Sequence, residues 1–76
     1  MSKADEMFER LGYEIIINDN ITLNYEKTGV YMDREIVFEL LDKSIFVGYG
    51  NEECCLITIQ ELQAINEKVK ELGWNE

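Results

Sequence analysis

The sequence predicts a two-layer α+β domain in which a helix at each end of the chain covers one face of a four-stranded antiparallel meander, in the order α-β-β-β-β-α. Three observations carry that expectation. Apolar residues recur at helical spacing in the first and last segments, they alternate with polar residues between them, and glycines or Asn/Asp clusters punctuate the joins. With 76 residues the chain makes one domain, 1–76, with one thin core; a chain of this size buries about 60% of its unfolded surface.

Residues Ser2 to Tyr13 read as the first helix. Ser2 can cap the first turn, with Asp5 three residues on, and Ala4, Met7, Phe8 and Leu11 form the apolar stripe that Gly12 ends. "YEIII" then supplies a strand joined to "ITLNYE" by a tight turn at Asn18-Asp19-Asn20. In "EIVFELL", Ile36, Phe38 and Leu40 alternate with Glu35, Val37 and Glu39, and Asp42-Lys43 turns this strand back into "SIFVGYG". Gly29 marks the longer loop between the two hairpins.

The closing segment repeats the grammar of the opening one. Thr58 and Glu61 match a capping box, Ile57 and Leu62 stand where a hydrophobic staple packs, and Ile59, Leu62, Ile65, Val69 and Leu72 form the expected buried stripe. Lys68, with Gln60, Gln63, Glu67, Lys70 and Glu71, falls on the opposite face. Leu11-Gly12-Tyr13 and Leu72-Gly73-Trp74 share one helix-end signature, in which the aromatic folds back, Tyr13 toward Phe8 and Trp74 toward Val69. Trp74 has a second reading as an exposed anchor for a partner.

Charge removes several function classes. Seven Lys and Arg face sixteen Asp and Glu, a net charge of −9. The bases are scattered and form no stripe, so direct nucleic-acid binding is not expected. The same charge disfavours anionic membranes, and no apolar run approaches the roughly 18 residues that span a bilayer. The opening Met-Ser-Lys-Ala-Asp-Glu lacks the apolar stretch of a secretion signal, which sets a cytoplasmic expectation.

The opening "KADEMFERLGYEIIINDNITLNYEK" and the closing "ITIQELQAINEKVKELGW" resemble small, uncharacterised proteins encoded by phages and prophages of low-GC Gram-positive bacteria. The resemblance covers both ends of the chain and fits the middle less distinctly. It implies a cytosolic accessory protein of a phage or prophage, and it carries no site residues across.

The adjacent Cys54 and Cys55 invite a chemical reading. Neighbouring Cα atoms stand about 3.8 Å apart, below the lower limit of about 4.4 Å usual for a disulfide, and on a strand the two side chains point to opposite faces. With two Cys and no His the chain cannot fill a structural zinc site, so no metal is expected. One small buried hydrophobe beside a free thiol is the simpler account. Absence of His also removes the usual general base and every Ser-His or Cys-His pair. Glu52-Glu53, and Glu35 with Glu39, read as solvated charge, and "VGYGNEE" lacks the lysine of a phosphate loop. The expectation is a protein that is not an enzyme and carries no cofactor.

What remains is contact with another molecule. If Tyr13, Ile15 and Ile17 face the helices, then Ile16 faces away, with Val37 and Phe46 among Thr22, Asn24, Glu35 and Glu39; a one-residue shift of register would reverse any one strand. Ile16, Val37 and Phe46 are therefore the candidate interface, for an unidentified protein partner or a homodimer. The alternative is an acidic DNA mimic that inhibits a host nucleic-acid-binding protein.

Overall fold

The computed structural model describes residues 2–30, 32–50, 52–53 and 56–74. Its elements are α1 (Lys3–Arg10), β1 (Glu14–Asn18), β2 (Thr22–Lys27), β3 (Arg34–Glu39), β4 (Ser44–Tyr49), β5 (Glu52–Glu53) and α2 (Ile59–Glu71). The strands form one antiparallel sheet in the order β1-β2-β3-β4-β5. The helix, four-stranded meander and helix expected from the sequence are thus all present, and the two residues of β5 extend the sheet beyond β4.

Local chemistry fixes the helix ends. The Asp5 N–H donates to Ser2 Oγ at 3.0 Å, while Thr58 and Glu61 exchange both bonds of a capping box at 3.0 and 2.8 Å. At the C-termini Gly12 and Gly73 take φ of +94° and +74°. Those left-handed turns let the Tyr13 N–H reach the Phe8 carbonyl and the Trp74 N–H reach the Val69 carbonyl, each at 3.0 Å. The β1–β2 turn is closed by Asp19, whose Oδ1 accepts from the Ile21 and Thr22 N–H groups at 2.8 Å.

Alternation on the central strands sends Leu23, Tyr25, Ile36 and Phe38 to one side, where both helices pack on them. Phe8 of α1 stacks on Tyr25 with ring centroids 4.0 Å apart, and Phe38 meets the Phe8 ring edge-on. Ala64 and Ile65 bring α2 into the same cluster. Trp74 lies 6.0 Å from Phe38 and is half-buried, so it closes the core.

Two expectations change here. Ile59 and Leu62 are exposed at 67% and 39%, whereas Glu61 and Lys68 are buried. The inward arc of α2 centres on positions 61, 65, 68 and 72, because Glu61 and Lys68 find charged partners inside and draw the helix round. The second change is a bulge between Ile15 and Ile17 in β1. It pairs Ile17 with Asn24, which points away from the helices, and leaves Ile16 as the extra residue.

Among the described residues no helix is long and apolar enough to cross a membrane.

Lys43, in the β3–β4 turn, holds φ of +56°. A side chain in the left-handed region is strained where glycine is not. Lys43→Gly is expected to stabilise the fold by about 0.5–1 kcal/mol, read as a raised urea midpoint with unchanged slope.

Candidate functional site

Residues directly opposite one another in an antiparallel sheet share a face, so the register defines the surface that the helices leave uncovered. One row across it is Ile17, Asn24, Val37 and Phe46; the next is Glu14, Glu26, Glu35 and Gly48. Thr22, Glu39 and Ser44 form a third.

Of the residues singled out from sequence, Val37 and Phe46 are cross-strand neighbours in the first row. Val37 is 8% exposed, closed in by its neighbours, while Phe46 is half-buried. A Cβ built on Gly48 would come within 2.2 Å of the Glu52 carbonyl oxygen and 2.6 Å of the Phe46 ring, so the missing side chain makes room both for the backbone of β5 and for the aromatic to lie along its own strand. Ile16 stands apart at the bulge on the edge strand, 45% exposed, and Ile17 takes the place expected for it beside Asn24. The isoleucine triplet Ile15-Ile16-Ile17 carries no alternation from which that shift could be read.

The second row is electrostatically unusual. Glu14 lies opposite Glu26, and Glu26 lies opposite Glu35. Like charges directly across a ladder repel. Partial desolvation, then the carboxylates of Asp33, Glu35 and Glu14, push the Glu26 carboxyl above its ordinary range. Beside this row Asn24 is 7% exposed; its Nδ2 donates to Glu35 Oε1 at 3.5 Å, and its Oδ1 has no donor.

The helix side holds two polar clusters that the sequence reading did not assemble. Arg34, at an inward position of β3, grips Glu61 with two bonds, Nε to Oε2 at 2.7 Å and Nη2 to Oε1 at 2.9 Å. Its Nη2 also donates to the Leu56 carbonyl at 2.8 Å, and its guanidinium lies 4.9 Å from the centre of the Tyr49 ring. The Tyr13 hydroxyl donates to the same Glu61 carboxylate. Burial alone would raise the Glu61 carboxyl; hydrogen bonds from Arg34, Tyr13 and the Thr58 N–H, with the Arg34 charge, outweigh it and hold it at about 2.

The other cluster sits where the helices meet. Lys68 Nζ lies 3.0 Å from Asp5 Oδ1 and 3.1 Å from Glu71 Oε1, and the Ala4 N–H donates to Glu71 Oε2 at 2.9 Å. Tyr25 donates its hydroxyl to Asp5. The parity shared by Arg34, Ile36 and Phe38 is the one sequence signal that places Arg34 inward; Lys68 shares the arc of Glu61 and Ile65.

These groups build structure more readily than they perform chemistry. Burial, then the adjoining carboxylates Glu61 and Asp5, push both the Tyr13 and Tyr25 phenols well above their ordinary range, so neither supplies a base near neutral pH. A depression of about 530 Å³ lies between α1 and β1, lined by Asp5, Glu9, Tyr13 and Glu14 among others; another of about 440 Å³ is lined by Arg34, Tyr49, Thr58 and Glu61 among others. Among the described residues no group of three or more acidic, Cys or His side chains could hold a metal ion. Cys54 and Cys55, and with them the thiol reading, lie outside the described residues.

No family model, curated protein or solved structure matches the chain.

Because the Glu61 carboxyl sits below its ordinary value of 4.5, at about 2, the stability it contributes is complete above pH 4.5 and disappears as the pH falls toward 2. Glu61→Gln is therefore expected to flatten the acid limb of a stability-against-pH curve over that interval. Arg34→Ala, which strands the buried carboxylate, should cost about 3–5 kcal/mol at neutral pH in urea unfolding.

Proposed function

We propose that the protein is a non-catalytic interaction module, a cytoplasmic accessory protein of a phage or prophage, that binds another protein through the outer face of its sheet. One observation carries this reading. Both helices pack on the same side of the meander, and on the other side, where no described helix packs, Ile17 and Phe46 stand in one row with the buried Asn24 and Val37 between them. Phe46, laid over Gly48, supplies a rigid aromatic of the kind that anchors interfaces.

Mimicry of DNA is the second reading, and it draws on the row of Glu14, Glu26 and Glu35. A duplex presents one charge per about 1.7 Å of its axis. Carboxylates set at a strand spacing of about 4.8 Å reproduce only a short and sparse piece of that pattern, so the interaction module is the better supported reading.

Affinity capture from host cytoplasm, compared between the wild type and Phe46→Glu, tests it. The variant is expected to lower Tm by no more than about 8 °C, matching about 1 kcal/mol in a domain of this size, and to lose the captured protein. Sedimentation over a range of concentrations separates a foreign partner from a second copy. Equal capture by both forms, or a wild type that stays monomeric and captures nothing, would overturn the reading.

A further inference from the structure

We propose that the partner of the outer face is cationic: an extended, arginine- or lysine-bearing segment of another protein, its charged group seated on Glu26 and Glu35 and its aliphatic stem against Val37 and Phe46. This rests on the reading of that face as a protein-binding surface and adds the chemistry of what binds.

Charge is divided unevenly between the two sides of the molecule. Glu14, Glu26, Glu35 and Glu39 all stand on the outer face, while none of the described residues in its three rows is a Lys or Arg. The bases lie on the helices, in the β3–β4 turn, or on the helix side of the sheet, where Arg34 binds Glu61 and the Lys27 ammonium lies 5.9 Å from the centre of the Tyr13 ring. A directly opposed line of glutamates weakens the sheet that carries it, and among the described residues no cation in those rows offsets the repulsion. Desolvation first, and then the neighbouring carboxylates, raise the Glu26 carboxyl in the middle of that line.

Asn24 supplies an independent sign. It is more than nine-tenths buried, its amide group lies against Glu35, and its Oδ1 accepts from nothing. Buried acceptors are ordinarily satisfied. A guanidinium brings five N–H donors and no acceptor, so one such group can bridge two carboxylates and, once the Asn24 amide turns its carbonyl outward in exchange for its bond to Glu35, donate to that oxygen as well. The stem of the same side chain would lie on apolar surface, as long cationic side chains do.

Size and sign narrow the occupant further. From Glu14 to Glu35 the row crosses two strand spacings, about 10 Å, which suits one or two cationic side chains. A second copy of this chain would bring the same glutamates face to face, which argues against self-association through this surface.

The test is a ¹⁵N NMR titration with a short synthetic peptide alternating arginine and valine, beside the same peptide with citrulline replacing arginine. Two variants of equal charge change serve as controls: Glu26→Gln with Glu35→Gln on the outer face, and Glu6→Gln with Glu9→Gln on α1. The arginine peptide is expected to shift Asn24, Glu26, Glu35, Val37 and Phe46. Its affinity should fall at least about ten-fold in the outer-face variant and by no more than about two-fold in the α1 variant. The outer-face variant should melt no lower than the wild type, since it relieves repulsion.

Equal binding of both peptides to the outer face would overturn the cationic assignment and leave the interaction face standing. Shifts confined to α1, an equal loss in the two variants, or no binding of either peptide would overturn the assignment as well. If Phe46→Glu also leaves partner capture unchanged, the face itself is not the binding surface.

Discussion

The paired grip of Arg34 on Glu61 governs how the two layers meet. Glu61 is at once the third residue of the capping box that starts α2 and the internal partner of a cation at the start of β3. A buried carboxylate cannot leave such a partner without a large penalty, so the pair fixes the rotation of α2 about its axis. That rotation carries Ala64 and Ile65 onto the sheet and leaves Ile59 outside. Lys68, almost two turns further on, holds the same arc inward by binding Asp5 of α1 and Glu71. Between these two ionic contacts the aromatic core of Phe8, Tyr25 and Phe38 is closed from both ends of α2.

Much of this architecture is legible because the signals are local. Ser2, Thr58, Gly12 and Gly73 act within one turn of where they stand, and each occupies the role its neighbours announce. Alternation on β2 and β3 likewise survives intact, since Leu23, Tyr25, Ile36 and Phe38 face the core that their spacing demands. Reading fails where the signal is silent or where a distant partner decides. Three consecutive isoleucines cannot announce a bulge, and Lys68 looks like a surface lysine until Asp5, more than sixty positions earlier, is brought beside it. Val37 and Phe46 could be placed on one face from alternation alone. The glutamate row needs the register of two hairpins together, which no single segment contains.

The molecule also sorts its charges by the partners available to them. On the helix side, the carboxylates drawn in between the elements are matched: Glu61 with Arg34, and Asp5 and Glu71 with Lys68. Across the sheet they stand side by side unmatched, next to an amide whose oxygen lacks a donor. Interior requirements account for the first arrangement, because burial tolerates only compensated charge. They do not account for the second. The proposal of a cationic partner assigns that face a role that folding leaves open.

The bond from the Ala4 N–H to Glu71 brings the beginning of α1 and the end of α2 side by side, both on the layer opposite the glutamate row. A short loop could splice these ends, and the chain could then be reopened at the β1–β2 turn as a circular permutant with the same sheet. A tether joined to either helix would likewise be attached on the layer opposite the glutamate side, so copies strung along a longer polypeptide would all keep that side free.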